Sequence, residues 1–298
     1  MKSEQNPQWR AGIVEGGEVV EIEGRTTVSD MLARRNRVGE LRSSGHRHGI
    51  GDVILHAPVP RPGKIVAAIV NTKGMLGGDD VQLERPRLDM KAPSTIIGPE
   101  ERVLAPPSGI RPEVELAAVV GAVISRATPE EARKSIFGYT VLNDVTAPSD
   151  SRDDAYEAYR REPKSGRIEK RTMRGPLFRS KNHDTFCPLG PWIVTADEAG
   201  PVGSRRMSTR FDGMQVQDGN TSEYLFSPEE IASYVSGFLT LEPGDVVSCG
   251  SVGWTPEALG GLDPTEFVLP QKKGTLELEI EGIGRLRNPV IGMAQSDP

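Results

Sequence analysis

The stretch Glu113-Val114-Glu115-Leu116-Ala117-Ala118-Val119-Val120 decides how this chain of 298 residues folds. Its alternation predicts a strand, and the apolar residues that share one face of it are Val114, Leu116, Ala118 and Val120. Glu113 and Glu115 share the other face. They are about 6.6 Å apart, because neighbours on one face of a strand are separated by twice the rise per residue. Two carboxylates at this spacing can converge on one cation.

A third acidic residue stands at the end of another predicted strand. Asp144 closes the apolar run Ile136-Phe137-Gly138-Tyr139-Thr140-Val141-Leu142-Asn143. Oxygen-only ligand sets suit hard cations that keep several waters, so Mg²⁺ or Mn²⁺ fits better than Zn²⁺. The hypothesis is a divalent cation held by Glu113, Glu115 and Asp144.

The same acidic spacing occurs a second time in the chain. Glu277-Leu278-Glu279 also alternates, and there it is typical of a half-buried strand with a solvated acidic face. Pattern alone therefore leaves a surface role open for the first pair as well. Apolar sequence on both sides of Glu113 and Glu115 favours the cation site.

Composition excludes some classes of function and favours a fold class. A net charge of −6 and a pI near 5.5 argue against nucleic-acid binding. The 33 glycines, 24 prolines and few aromatic residues favour a mainly β protein with a few helices, of the α+β class. The polar N-terminus and the lack of a long apolar stretch predict a cytoplasmic protein with no membrane partner.

The chain divides into two predicted domains. Residues 1–57 form a small α+β unit with a hairpin around Glu15-Gly16-Gly17 and a helix from Thr27 to Leu41. The proline-rich segment up to Gly63 is the linker, and residues 63–298 form the main domain. Two helices in that domain are predicted from capping boxes that begin at Thr128 and Ser227.

One long charged segment falls outside this pattern. The sequence from Asp150 to Arg179 is longer than most loops of compact domains. A lid, an oligomerisation arm, a disordered excursion and a plain solvated loop are all open interpretations.

With these elements in place, the chain from Arg61 to Val290 resembles the fumarylacetoacetate hydrolase family in its catalytic-domain form. The matching stretches stand in the family's order and include KAPSTIIGPEERV, EVELAAVVG, IFGYTVLNDVTA and QDGNTSEYLFSPEEIASYVSGFLTLEPGDVV. The resemblance implies a mixed, strongly curved β-roll, usually a homodimer, that acts on a small-molecule substrate. It also implies a divalent metal at Glu113, Glu115 and Asp144.

The resemblance implies roles for other residues too. Lys181 matches a family lysine close to the metal, where it would stabilise enolate or carboxylate charge. Ser251 stands where the family has a threonine hydroxyl that supports the oxyanion. Asn71 and Gln217 are predicted to contact the substrate, with shaping of a nearby turn as the alternative for Gln217.

Departures from the family pattern at several positions bear on the reaction. The family's Asn-Tyr-x-x-His-x-x-Glu, which activates water, is replaced by the sequence that runs from Asn71 through Met75 to Gly78, so the usual general base is absent. Pro148 stands where the family has an arginine that grips a substrate carboxylate, and Val252 alters the turn after Ser251. His183 stands where the family has phenylalanine, and it is either a substitute base or a packed or solvent-facing side chain.

The function implied is metal-dependent chemistry on an enolisable 1,3-dicarbonyl or 2-oxo acid. The family resemblance favours hydrolysis of a carbon–carbon bond in an acylpyruvate-like substrate. The missing base favours decarboxylation, tautomerisation, dehydration or another step through an enolate, because only hydrolysis needs a deprotonated water. A degenerate member that only binds a metabolite is the non-enzymatic alternative.

Overall fold

A computed structural model of the chain describes residues 9–24, 27–33, 41–75, 82–270 and 273–293. The strands are β1 Gly12–Glu15, β2 Glu18–Ile22, β3 Ser43–Gly49, β4 Ile65–Ile69, β5 Arg87–Lys91, β6 Ile96–Ile97, β7 Val103–Ala105, β8 Val114–Val120, β9 Ile136–Asn143, β10 Tyr156–Arg161, β11 Ile168–Met173, β12 Cys187–Thr195, β13 Arg206–Phe211, β14 Met214–Asn220, β15 Val246–Ser251, β16 Gly274–Ile280 and β17 Gly284–Gly292. The helices are α1 Val28–Ala33, α2 Pro129–Ser135, α3 Pro148–Asp153, α4 Phe178–Lys181, α5 Ala196–Ala199, α6 Pro228–Ser236 and α7 Pro256–Leu259.

Two large sheets build the main body. One has the order β5-β4-β15-β8-β9-β12-β6, and the other has the order β14-β13-β16-β17-β7. The first is mixed, because β15 runs parallel to β4 and β12 runs parallel to β6 while the other neighbours are antiparallel. The predicted fold class, mainly β with a few helices, is confirmed.

Strand β8 lies in the middle of the first sheet and is buried along its whole length. Its residues on one face join a core shared with the second sheet, namely Val114, Leu116, Ala118 and Val120. Ala117 and Val119 on the opposite face belong to a separate cluster that includes Leu142 and Leu189. The alternation predicted from the sequence is therefore the one observed, and both faces of the strand are covered.

The predicted helix starts are confirmed at the atomic level. Thr128 and Ser227 each accept a hydrogen bond from the backbone N–H of the glutamate three residues later, and that glutamate bonds back to the cap. The two helices that follow, α2 and α6, pack against each other. Within the described ranges, no helix has both the length and the apolar character needed to cross a bilayer.

The N-terminal strands form a sheet of their own, with the order β1-β2-β3. The predicted hairpin is observed as β1 and β2. The predicted helix from Thr27 to Leu41 is observed as α1 over Val28–Ala33, and its remainder falls on residues 34–40, outside the described residues. The domain boundary between residues 57 and 63 stays a prediction.

The charged segment is a folded excursion. Among the strands that the structure describes, β10 and β11 pair only with each other, as an antiparallel ribbon whose side chains are largely exposed. Arg179 joins the two ends of the segment, because its guanidinium donates to the Asp154 carboxylate at 2.7 and 2.9 Å. Of the four interpretations, a disordered excursion is wrong, and the structure has a hairpin in its place.

Candidate active site

The three predicted ligands meet where β8 and β9 lie side by side. In that antiparallel pair Val114 is opposite Asn143, so Glu113, just before β8, and Asp144, just after β9, lie next to each other at the same end of the two strands. The Asp144 N–H donates to the Glu113 carbonyl at 2.9 Å, and the Glu113 N–H donates to Asn143 Oδ1 at 3.1 Å. One carboxylate oxygen from each of Glu113, Glu115 and Asp144 lies within 4.8 Å of the others.

Burial separates this group from the second acidic pattern. Glu113, Glu115 and Asp144 are 4%, 2% and 2% exposed. On β16, by contrast, Glu277 is half-buried and Glu279 is exposed. A carboxylate is expensive to bury without a counter-charge, so the first group requires cations and the second does not.

Two lysines supply part of that counter-charge. The Lys181 ammonium donates to Glu113 Oε2 at 2.6 Å and to Asp144 Oδ2 at 2.5 Å. Lys91, which is 1% exposed, donates to Asp144 Oδ1 at 2.6 Å and to the Lys181 carbonyl at 2.7 Å. Lys91 was not predicted, because it ends a polar, partly exposed strand, Arg87-Leu88-Asp89-Met90-Lys91, which gives no local sign of a buried lysine.

These contacts set the protonation states. Burial alone would raise the pKa of Asp144, but the charges of Lys181 and Lys91 outweigh it and lower that pKa. Burial would likewise lower the pKa of Lys181, yet the three carboxylates raise it, so the amine keeps its proton. Burial, reinforced by the charge of Asp144, raises the pKa of Glu115 to about 8.

Glu115 is held by hydrogen bonds from β15. Its Oε2 accepts from the Ser248 hydroxyl and, at 3.0 Å, from the Gly250 N–H. No described residue donates a hydrogen bond to its Oε1, so that oxygen can face a cation. The close approach of Gly250 depends on a left-handed backbone with φ +90°.

We expect Gly250→Ala to disturb this support. The added Cβ would lie 2.7 Å from the Asn71 Cβ, and the backbone conformation is itself unfavourable for alanine. Gly244→Ala is the matched control, because φ is +91° there and an added Cβ meets nothing within 4 Å. Thermal unfolding should show a larger loss for Gly250→Ala than for Gly244→Ala, and equal losses would contradict the close approach at Gly250.

Gln217 and Ser251 meet at the start of β8. Gln217 Oε1 accepts from the Val114 N–H at 3.0 Å, and its Nε2 donates to Ser251 Oγ at 2.9 Å. Ser251 lies opposite Glu115 in the pairing of β15 with β8. Gln217 thus fixes the position of Ser251, which agrees with its predicted role in shaping a turn, and its contact with substrate stays a prediction.

Asn71 is used to hold backbone together. Its Nδ2 donates to the Phe226 and Cys249 carbonyls, both at 2.8 Å, and its Oδ1 accepts from the Phe226 N–H at 3.1 Å. These bonds give Asn71 a structural role at the base of the site. Its predicted contact with substrate stays a prediction.

His183 forms a pair with an acid that the sequence did not suggest. His183 Nε2 lies 2.5 Å from Oδ2 of Asp150, which is 4% exposed, and the imidazole contacts the Phe186 ring. The pairing favours a proton on Nε2 and leaves Nδ1 as the acceptor nitrogen. The side chain is 28% exposed, so it is partly open to solvent.

Arg111 is a further cation at the site that sequence analysis missed. Its Nε lies 3.0 Å from Glu113 Oε1, and its guanidinium carbon lies 4.9 Å from the centre of the Trp254 ring. The signal was available, because Arg111 is two residues before Glu113 and so continues the same alternation. The carboxylates are therefore surrounded by Lys91, Lys181 and Arg111.

Comparison with known proteins agrees with this geometry. Residues 65–291 match the family model described as the C-terminal domain of fumarylacetoacetate (FAA) hydrolase. The chain belongs to the fumarylacetoacetate hydrolase family. The predicted resemblance is therefore confirmed.

Several members of the fumarylacetoacetate hydrolase family are similar over most of the chain. A 2,4-didehydro-3-deoxy-L-rhamnonate hydrolase from Sphingomonas sp. (strain SKA58) is 31% identical, over 78% of this chain and 75% of the relative. The human mitochondrial oxaloacetate tautomerase FAHD2A is 33% identical, over 80% of this chain and 70% of the relative. The structure of 5-carboxymethyl-2-hydroxymuconate delta-isomerase from Mycobacterium smegmatis has a TM-score of 0.71 and 28% identity, with 95% of this chain and 94% of the other covered.

The donor set fits a divalent metal. Glu113, Glu115 and Asp144 offer carboxylate oxygens only, which hard cations such as Mg²⁺ and Mn²⁺ prefer. The Lys181 ammonium supplies positive charge to two of these carboxylates, Glu113 and Asp144. A cation bound there would share Glu113 and Asp144 with Lys181.

Proposed function

We propose that this protein is a divalent-metal-dependent enzyme that forms the enolate of a 2-oxo acid, and that keto–enol tautomerisation is its reaction. The observation that carries the proposal is the convergence of Glu113, Glu115 and Asp144, buried and within 4.8 Å of one another, beside the Lys181 ammonium. A bound Mg²⁺ or Mn²⁺ would act as a Lewis acid that lowers the energy of the enolate.

The chain's own residues have separate tasks in this proposal. Lys181 keeps its proton and places positive charge where the enolate oxygen develops negative charge. Ser251, held by Gln217, presents a hydroxyl group that can turn its proton toward the same oxygen. Burial excludes most water and strengthens both interactions.

The sequence beside the site supports tautomerisation over hydrolysis. The segment from Asn71 to Gly78 contains neither histidine nor glutamate. Enolisation needs a proton to pass from carbon to water and one to return from water to the enolate oxygen, whereas hydrolysis also needs a water to be deprotonated so that it can attack carbon near neutral pH. A relative 33% identical to this chain carries the name oxaloacetate tautomerase, which makes oxaloacetate a reasonable test substrate.

Hydrolysis of a carbon–carbon bond is the second candidate, and one contact favours it. Asp150 holds the His183 imidazole so that Nδ1 can accept a proton from water. His183 lies two residues beyond Lys181 in the chain, and the backbone of Ser180 bonds to that of Ala147 at 2.8 Å, which joins α3 to α4. The relative from Sphingomonas, at 31% identity, is named a hydrolase.

Isotope exchange tests the proposed function directly. Mn²⁺-loaded protein is incubated with oxaloacetate in D₂O, and deuterium at carbon 3 is followed by NMR. We expect the unmodified protein and Glu279→Gln, which changes an exposed side chain of β16, to accelerate the exchange, and Glu115→Gln to lose that acceleration. A protein that binds Mn²⁺ but accelerates no exchange would contradict the proposal and favour a metabolite-binding role.

A variant of His183 separates hydrolysis from tautomerisation. If the His183 and Asp150 pair activates water, His183→Ala should slow cleavage of an acylpyruvate by about 10²- to 10⁴-fold. In H₂¹⁸O the acid product should carry the label, which mass spectrometry detects. Cleavage with label and with full activity in His183→Ala would exclude His183 as the base, and the absence of cleavage would exclude hydrolysis.

A further inference from the structure

Three buried nitrogen donors near the carboxylates lack acceptors among the described residues: Asn143 Nδ2, and two that lie on neighbouring side chains. Arg111 Nε and Trp254 Nε1 have no hydrogen-bond partner among the described residues. Buried donors are almost always satisfied, so each such case calls for an explanation, and an absent ligand is one of the common ones. The two donors belong to neighbouring groups, because the guanidinium lies over the indole ring.

The Arg111 guanidinium is held in place without using its hydrogen-bonding capacity. Its Nε is 3.0 Å from Glu113 Oε1, but the N–H does not point at that oxygen, so the contact is an ion pair and not a hydrogen bond. No described residue accepts a hydrogen bond from this side chain, which is 14% exposed. The Arg111 backbone is fixed in place, because its N–H and carbonyl form hydrogen bonds of 2.8 and 3.1 Å with the backbone of Thr146.

Trp254 belongs to the same wall of the site. It lies three residues beyond Ser251, its backbone bridges to Gln217, and its ring contacts Phe267 with centres 5.5 Å apart. Only 8% of the residue is exposed. The indole is therefore fixed beside a cation, with its own N–H unused.

The net charge of the site also favours an anionic ligand. With Glu113, Glu115 and Asp144 all ionised, as they would be when they hold a metal, their three negative charges balance the three positive charges of Lys91, Lys181 and Arg111, so the sum without the metal's own charge is zero. A divalent cation would raise the sum to +2. An anionic ligand would restore neutrality in a buried site, where uncompensated charge is costly.

We propose that Arg111 and Trp254 bind a carboxylate of the substrate, and so select anionic 2-oxo acids over neutral dicarbonyl compounds. A guanidinium offers paired N–H groups whose geometry matches the two oxygens of a carboxylate, and the indole N–H supplies a further donor. This inference rests on the proposed function, because it names the substrate class of that same site.

Calorimetric binding of oxalate to the Mn²⁺-loaded protein tests the subsite. We expect Arg111→Gln to weaken oxalate binding about 10- to 100-fold, because charge-assisted hydrogen bonds are lost. Arg111→Lys keeps the charge and should fall between Arg111→Gln and the unmodified protein. Trp254→Phe keeps an aromatic ring but loses the donor, and should weaken binding by about 3- to 10-fold.

The controls separate this inference from the proposed function. Arg206→Gln removes a surface arginine paired with Asp218 and should leave oxalate binding unchanged. Mn²⁺ titration of each variant shows whether the metal site persists, and the KM for oxaloacetate should rise in Arg111→Gln more than kcat falls. If Arg111→Gln and Trp254→Phe bind Mn²⁺ and oxalate like the unmodified protein, the subsite is wrong even where exchange at carbon 3 proceeds. If exchange is absent but oxalate binding follows Arg111, the proposed function fails and the subsite stands.

Discussion

We expect Lys181→Met to bind Mn²⁺ more tightly than the unmodified protein, and yet to enolise oxaloacetate about 10²- to 10³-fold more slowly. Affinity should rise because the ammonium, 2.6 Å from Glu113 Oε2 and 2.5 Å from Asp144 Oδ2, competes with a cation for those oxygens. The rate should fall because the same ammonium stabilises the enolate. Opposite effects on binding and catalysis are the signature of a residue that shares ligands with the metal and also acts on the substrate.

Titration calorimetry and deuterium exchange measure the two effects separately. Lys134→Met is the matched control, because Lys134 is an exposed lysine whose partner, Glu130, is one turn away on α2. Without metal, Lys181→Met leaves two buried carboxylates without their shared counter-charge, so its unfolding temperature should fall and Mn²⁺ should restore it. Weaker Mn²⁺ binding in this variant would contradict the competition, and an unchanged exchange rate would exclude Lys181 from the chemistry.

The second large effect concerns the stability of Glu115→Gln relative to the unmodified protein, which we expect to change sign when Mn²⁺ is added. The pKa of Glu115 in the folded, metal-free protein is raised to about 8 from an ordinary value of 4.5, by burial and by Asp144. Between these two pH values the folded state binds the proton more tightly than the unfolded state, so the contribution of Glu115 to stability falls as pH rises. Glutamine does not titrate and avoids this loss.

We therefore expect Glu115→Gln without metal to unfold near the same temperature as the unmodified protein at pH 5, and at a higher temperature at pH 8. Saturating Mn²⁺ should reverse the order at pH 8, because it stabilises only a protein that binds it. Glu279→Gln on β16, where the acid is exposed, should follow the unmodified protein throughout. A pH-independent difference between Glu115→Gln and the unmodified protein would contradict the raised pKa.

The local alternation of apolar and acidic residues predicted much of this site. It could not show which of two similar acidic patterns is the buried one. Glu113-Val114-Glu115 and Glu277-Leu278-Glu279 have the same spacing. They differ because β8 is covered on both faces in the middle of its sheet, whereas β16 has one face open to solvent. Both strands are central in their own sheets, so the difference is which faces are covered, and that depends on long-range packing that a local pattern does not encode.

Long-range contacts also explain why two residues of the site were not predicted from the sequence. Lys91 and Asp150 become important only because distant segments bury them against Asp144 and His183. The ribbon of β10 and β11 was missed because its exposed strands lack apolar alternation. Arg111 continues the alternation of the acidic pair and could have been found. Assembly as a homodimer and a cytoplasmic location stay predictions.

Stoichiometric titration with Mn²⁺ tests the central claim most directly. We predict one Mn²⁺ per chain for the unmodified protein, binding that tightens as pH rises because carboxylates bind metal in their ionised form, and loss of that binding in Glu113→Gln, Glu115→Gln and Asp144→Asn. Glu279→Gln should bind like the unmodified protein. No bound Mn²⁺, or binding that survives all three substitutions, would contradict the account.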